Sequence, residues 1–308
     1  MFSVVTGGAG FIGSHLVDAL VAQGDRVLVI DSLISGSMAN LAGYTEKDVK
    51  LVRADLLADG WQKSLEGADR VYHLAADPDV RQSAITPDSQ IRNNIIATQR
   101  VLEAMRLSGV RQIVFTSTST VYGEASVIPT PEYYTPMEPV SIYGASKLAC
   151  EALISAYCHS FDMQAWVYRF ANIIGERSGH GVLYDFIAKL KQDPRTLEIL
   201  GDGRQSKSYL EVKECTKAML YAAGHSDGRY NVFNIGSEDW VDVKTIADTV
   251  TEEMGLPEVK YHFTGGDRGW VGDVPKMQLS VEKLKSLGWT PGIGSRESIR
   301  VAVRSMLG

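Results

Sequence analysis

Phe2-Ser-Val-Val-Thr6-Gly7-Gly8-Ala9-Gly10-Phe11-Ile12-Gly13 opens the chain. Phe2–Thr6 has the β-branched and aromatic content of a buried strand, and residues 11–23 carry apolar side chains at helical spacing. Between them lies a glycine run. Gly8, Gly10 and Gly13 satisfy G-x-G-x-x-G, and Gly7, Gly10 and Gly13 satisfy G-x-x-G-x-x-G. Glycines there permit a tight turn and let backbone N–H groups approach a pyrophosphate. The helix start adds partial positive charge. Alone such a run is weak evidence; between a strand and a helix at the start of a βαβ unit it marks a dinucleotide site. Gly7, Gly10, Phe11, Ile12 and Gly13 are the expected loop contacts.

Asp31 closes the next strand, eighteen residues after Gly13. A carboxylate there accepts bonds from ribose hydroxyls and repels a 2′-phosphate, which favours NAD over NADP. Ser32 follows it. Asp55 and Leu56, after the third strand, are expected at the adenine edge, although Asp55 reads equally as a loop acid.

Outward from this unit, strands are expected at 2–6, 26–30, 49–53, 70–74, 111–116 and 164–169. Helices are expected at 11–23, 87–108 and 143–161. The alternation predicts an α/β fold, a doubly wound parallel Rossmann-type sheet with helices on both faces. After about residue 170 the elements shorten and glycines punctuate them. The expected division is an NAD-binding domain over 1–170, to which the chain returns at about 211–236 (helix 212–224, strand 231–235), and a smaller α/β lobe over 171–308 that binds the substrate.

The composition is that of a globular protein, 308 residues with 44% hydrophobic and 22% charged side chains. A net charge of −6 gives no cue for nucleic acid or an anionic membrane, so an anionic ligand must be held by local donors. Cys150, Cys158 and Cys215 have no metal spacing and read as reduced thiols, the pattern of a cytoplasmic protein. The strand expected at 2–6 predicts that no signal peptide precedes the fold, and no apolar run has membrane-spanning length. No metal motif is present.

Tyr143-Gly-Ala-Ser-Lys147 starts a helical run, and a spacing of four puts both side chains on one face. A free tyrosine titrates near ~10, so about one in a thousand is ionised at neutral pH. A base made from it needs a neighbouring positive charge, and Lys147 is placed to give one. The fifth strand runs into Thr116-Ser-Thr118-Ser-Thr120-Val-Tyr-Gly123, at the sheet edge where ligands bind. The residues alone do not say which hydroxyl acts.

Four segments together resemble a family: Thr-Gly-Gly-Ala-Gly-Phe-Ile-Gly-Ser-His (6–15), His-Leu-Ala-Ala (73–76), Thr-Ser-Thr-Ser-Thr-Val-Tyr-Gly (116–123) and Tyr-Gly-Ala-Ser-Lys (143–147). They are similar, in order and spacing, to the extended short-chain dehydrogenase/reductases and, within these, to the UDP-glucose (UDP-galactose) 4-epimerases. The resemblance spans essentially the whole chain. It implies a catalytic triad of Thr118, Tyr143 and Lys147 and NAD as cofactor. It places Leu74, Ala75, Ala76, Asn94, Thr116 and Phe170 on the cofactor side, with Asn94 as a support. It places Thr118, Thr120 and Tyr143 at the sugar and Asn172 at the diphosphate.

The resemblance also reaches the C-terminal lobe. Val182 matches the residue whose backbone meets the uracil. Lys207 stands where an arginine often contacts the diphosphate, and offers a point charge in place of a fork. Trp270 replaces the usual arginine three residues before Asp273, so Arg268 is the second basic candidate. Asp273 is placed for the uridine ribose. Met277 falls at the sugar-pocket wall; a flexible methionine there leaves glucose and N-acetylglucosamine both open.

The expected reaction is therefore the interconversion of UDP-glucose and UDP-galactose through a 4-keto sugar. A UDP-N-acetylglucosamine or UDP-glucuronate epimerase is the alternative, with Arg177 the nearest cation for a C6 carboxylate. A dehydratase needs an acid after the triad threonine, and Ser119 and Thr120 are not acids. A non-catalytic NAD-binding protein would not require all three triad residues. The UDP-hexose is the expected partner, with no nucleic acid or membrane. A homodimer is implied through helices 87–108 and 143–161, where Ile95, Val101, Leu102, Leu148 and Leu153 serve either that face or the core.

Overall fold

The structure is a computed structural model, describing residues 1–269 and 273–308. The opening run forms β1 (Phe2–Thr6). It is followed by β2 (Arg26–Asp31), β3 (Val49–Arg53), β4 (Arg70–His73), β5 (Gln112–Thr118) and β6 (Gln164–Phe170). β7 (Asn172–Ile174), β8 (Thr196–Ile199), β9 (Ser206–Lys207) and β10 (Tyr209–Glu211) come next, then β11 (Tyr230–Ile235). Seven of these make one sheet in the order β11-β6-β5-β4-β1-β2-β3. Every pairing in it is parallel. Runs such as Val27–Ile30 and Ile113–Phe115 are buried throughout, as strands covered on both faces must be.

The chain winds outward from β1 in both directions. The order reverses there, which opens a crevice over the carboxyl ends of β1 and β4. Helix α1 (Phe11–Ala22) packs one face. On the other side of the crevice come two single-turn helices, α2 (Val80–Ser83) and α3 (Pro87–Gln90), then α4 (Ala97–Ser108) and α5 (Ile142–Phe161). Later in the chain are α6 (Val182–Gln192), α7 (Val212–Gly224), α8 (Val243–Glu253), α9 (Glu282–Ser286) and α10 (Ser295–Leu307). Leu16 and Leu20 of α1 join Met219 and Ala222 of α7, Trp166 and Phe233 in one core. Leu102 and Met105 of α4 join Ile154 of α5, Phe115 and Val167 in a second.

A third core holds α6, α8 and α10 around Phe186, Leu197, Ile246, Val250 and Ile299. Short strand pairs complete this region. β7 pairs with β10, β8 with β13 (Lys260–Phe263), and β9 lies between β12 (Val241–Asp242) and β14 (Lys276–Met277).

The expected strands are all present, and β5 and β6 run two and one residues further, to Thr118 and Phe170. The expected helix over 87–108 is interrupted by a π-helical turn at Ile91–Ile96. Val101 and Leu102 are fully buried within the single chain and belong to the core. Ile95 and Leu153 pack partly buried on the same cluster, and Leu148 packs beside Val121 and Tyr122. Among the described residues no helix is long and apolar enough to cross a membrane.

Candidate active site

The glycine run turns sharply over the end of β4. Gly7 has φ +71°, and a Cβ there would stand 2.7 Å from the Ala75 nitrogen. At Gly13 a Cβ would meet the Gly7 carbonyl at 2.1 Å, so α1 begins pressed against the turn. Gly10 N donates to that carbonyl at 3.1 Å. Phe11 and Ile12, half-buried, start the helix. Asp31 is buried at the end of β2; its carboxylate accepts from Ala9 N at 2.9 Å and from Leu33 N at 2.8 Å. Ser32 is half-buried beside it. The missing side chains let turn, helix start and the end of β4 pack this closely, so that loop, helix N-terminus and carboxylate share one edge, a donor and acceptor set whose chemistry suits a pyrophosphate next to a ribose.

Asp55 is exposed and accepts from Leu57 N at 2.8 Å, which stabilises its own turn. Leu56 is buried in the core near Trp61. Leu74, Ala75 and Ala76 line the half-buried end of β4. Asn94 sits in the π turn and is fully engaged. Its Oδ1 accepts from Asp77 N at 2.8 Å, and its Nδ2 donates to Gln90 Oε1 at 2.8 Å and Ser146 Oγ at 2.9 Å. It braces the segment after β4 against α5, a use of a π turn common near functional sites.

The three chemistry-bearing side chains meet at the end of β5. Ser141 caps α5 by accepting from Gly144 N at 3.1 Å. A Cβ on Gly144 would lie 2.7 Å from the Thr120 carbonyl, so the helix start presses on the turn after β5. Thr118, the last residue of β5, is hydrogen-bonded to Tyr143 and lies 3.1 Å from the Thr120 hydroxyl. Lys147 is buried; its Nζ donates to the Thr116 carbonyl at 2.9 Å and lies 4.7 Å from the centre of the Phe115 ring.

The electrostatics differ from the simple expectation for a tyrosine–lysine pair. Burial pushes the Tyr143 phenol up to about 12, against the hydrogen bond from Thr118, and the Asp77 charge adds to the rise. Burial pushes Lys147 down to about 8. Desolvation of the phenolate therefore dominates, the Thr118 hydrogen bond is what opposes it, and a nearby positive charge is still needed to ionise the phenol. His73, to which the sequence assigns no role of its own, is held neutral by burial at about 3. It is tied to Thr6 Oγ1 at 2.7 Å and Thr98 Oγ1 at 2.9 Å, behind the crevice. Its one signal is its place beside Val71 and Tyr72 at the buried end of a strand.

On the lobe side, Lys207 Nζ pairs with Asp273 at 2.5 Å, and Asp273 also accepts from Gly269 N at 3.0 Å. Arg268 Nη1 donates to Glu124 Oε1 at 2.7 Å and to the Asp273 carbonyl at 3.0 Å. Lys207, Arg268 and Asp273 are thereby gathered, next to the segment that follows β5. Trp270 lies outside the described residues. Asn172 Nδ2 donates to the Ser208 carbonyl at 3.1 Å, Val182 is the first residue of α6, and Phe170 is buried at the end of β6. Met277, in β14 beside Lys207, packs against the cluster of Val121, Tyr122 and Leu279. Arg177 pairs with Asp18 of α1 at 2.9 Å.

A model of the NAD dependent epimerase/dehydratase family matches residues 3–236. A solved UDP-galactose 4-epimerase is 41% identical with a TM-score of 0.89, covering 99% of this chain and 98% of that one. The UDP-glucose 4-epimerase of Thermus thermophilus, solved with NAD, is 32% identical with a TM-score of 0.87, covering 100% and 99%. The UDP-N-acetylglucosamine 4-epimerase of Methanobrevibacter ruminantium, solved with UDP-N-acetylmuramic acid, is 30% identical with a TM-score of 0.88, covering 98% and 97%. The chain belongs to the NAD dependent epimerase/dehydratase family, within the extended short-chain dehydrogenase/reductases, and is an enzyme whose cofactor is NAD.

Proposed function

We propose that the protein inverts C4 of a UDP-hexose, interconverting UDP-glucose and UDP-galactose. The observation that carries this is the convergence of Thr118, Tyr143 and Lys147 at the end of β5, beside the glycine turn. Gly7, Gly10, Phe11, Ile12 and Gly13 hold the pyrophosphate of NAD, Asp31 and Ser32 its adenosine ribose, and the ends of β4 and β5 its nicotinamide half. When bound, NAD would supply the hydride acceptor and donor for C4 and a positive charge beside the phenol.

Tyr143 accepts the O4 proton, directly or through Thr118, and returns it when the sugar is reduced. Lys147 holds its positive charge near the phenol and steadies the cofactor ribose. Lys207, Arg268 and Asn172 bind the diphosphate, Asp273 the uridine ribose and Val182 the uracil. The grip on UDP keeps the keto sugar in place while the hexose turns over, so remote binding energy serves the chemistry. Thr120 and Met277 border the hexose. The division into an NAD-binding part (1–170, with the return at 211–236) and a nucleotide-sugar lobe (171–308) follows from the same assignment.

Two readings of the sugar differ in support. N-acetylglucosamine is the alternative because Met277 is a compliant wall. Glucuronate is less favoured, since Arg177 lies against Asp18 of α1 and, among the described residues, no contact brings it to Thr118, Thr120 or Met277. The test is to incubate the purified protein, without added NAD, with UDP-glucose, UDP-N-acetylglucosamine and UDP-glucuronate, and to separate the products. Galactose-configured product from the first supports the proposal. Absence of C4 inversion on all three, with NAD bound, would refute it.

A further inference from the structure

Behind the triad lies a buried ion pair that no step above uses. Glu151 is one helical turn beyond Lys147 on α5, and Arg169 stands on β6 directly opposite Ser117 of β5. Both are about 4% exposed. Arg169 Nη2 donates to Glu151 Oε2 at 2.6 Å, and its Nε reaches both carboxylate oxygens at 3.0 and 3.2 Å. Ser117 Oγ donates to Glu151 Oε1 at 2.5 Å. The remaining Arg169 nitrogen donates to the Tyr122 hydroxyl at 2.9 Å and the Glu132 carbonyl at 3.0 Å. Tyr122 passes the chain on to Asn234 Oδ1 at 2.8 Å.

This arrangement is more than packing requires. A buried ion pair adds little net stability relative to apolar side chains of similar volume. Yet this one binds Ser117, the neighbour of Thr118, to the same helix that carries Tyr143 and Lys147. We propose that Glu151, clamped by Arg169, is a positioning residue: it fixes the strand end that presents Thr118 against α5 and sustains the ammonium of Lys147. The proposal rests on the roles given above to Thr118, Tyr143 and Lys147.

The surroundings of Lys147 support it. Burial lowers its pKa, and Cys150 and Glu151 are the groups that act to raise it. Cys150 is itself pushed up by burial, so its thiol is neutral where Lys147 titrates. From β4, His73 faces Lys147 in neutral form; from β5 come the Thr116 carbonyl and the Phe115 ring. Asp77, from the segment after β4, acts on Tyr143. Glu151 is therefore the charged group on α5 that favours the ammonium.

The test compares Glu151→Gln and Ser117→Ala with the unaltered enzyme, through the pH dependence of UDP-glucose/UDP-galactose turnover. A second readout does not need turnover: the titration of Lys147, from the pH dependence of its lysine 13Cε NMR signal in each background, assigned with Lys147→Arg. Removing a negative charge makes nearby acids lose protons at lower pH. Glu151→Gln is expected to move both the alkaline limb and the Lys147 titration down by about one pH unit. Ser117→Ala keeps the charge; it is expected to lower kcat by about tenfold, with KM and the pH limbs unchanged. Should Glu151→Gln not fold, Glu151→Gln/Arg169→Gln replaces the pair by neutral amides; loss of the Arg169 cation opposes the shift, but Glu151 is the partner that acts on Lys147, so a smaller move in the same direction is expected. Unmoved limbs and titration in the folded variant, with only the level of activity reduced, overturn the proposal. If no sugar is turned over, the Lys147 titration still decides this inference while the assignment of the reaction falls.

Discussion

At Tyr143 two effects oppose each other, and their sizes decide the chemistry. Burial holds the phenol at about 12 and Lys147 at about 8. At neutral pH the resting pair is a neutral phenol beside an ammonium, which suits a base that ionises only with a second positive charge present. Tyr143→Phe is expected to lower kcat by about 10²–10⁴-fold while leaving bound NAD in place, measured by turnover and by the NAD released on denaturation. Retained turnover in a folded variant would remove the base assignment. His73 makes a different prediction. Its folded value of about 3 lies below the ~6.5 of an unfolded histidine. Below that upper value the unfolded chain takes up a proton that the folded chain refuses, so stability falls as pH drops from about 6.5 toward 3, by at most about 1.4 kcal/mol per pH unit. Thermal scans should show a shallower fall of Tm over that window for His73→Gln than for the unaltered protein. Parallel curves would mean that His73 is not the group responsible.

Among the elements, the glycine turn and the π turn set the geometry of the crevice from its two sides. Gly7 lies against the Ala75 backbone with a positive φ, so Gly7→Ala meets both a steric and a conformational obstacle. We expect a loss of about 1–3 kcal/mol in stability and a loss of tightly held NAD, read from Tm and from the cofactor content of the purified protein. A variant that keeps its full NAD content would contradict the placing of the pyrophosphate. The π turn shows how an element departs from its pattern. Residues 87–108 have helical spacing, but regular winding would not have turned Asn94 onto both Asp77 and Ser146. Asn94 serves as a brace between β4 and α5, and its side chain is occupied by protein partners.

For the molecule as a whole, the question is what covers the exposed side of α4 and α5. With Val101 and Leu102 in the core, the apolar residues left outside include Ile96 and Leu107 from the α4 segment and Ile142 and Phe161 from α5. A second copy packed there would bury them, as a helix-paired homodimer requires. Leu107→Glu combined with Ile96→Glu is expected to convert a dimer into a folded monomer, seen as a halved mass in light scattering with unchanged circular dichroism. An unchanged mass would place any association elsewhere. The same scale governs the nucleotide-sugar site, since Arg268 reaches from the segment before β14 to Glu124 after β5.

The seven-stranded sheet was legible in the sequence because its signals are local. A strand buried on both faces must be apolar, and a phosphate turn needs glycine at fixed steps, so residues 2–13 and 26–31 could be read without any partner. Tyr143 and Lys147 were legible for the same reason, a spacing of four on one helix. Contacts between distant segments were not legible. The opposition of Ser117 and Arg169 to Glu151, the pairing of Arg177 with Asp18, and the desolvation that lifts Tyr143 depend on which segments the sheet brings together. A titrating group responds to the water it loses and the charges that replace it, and both are set by the packed molecule.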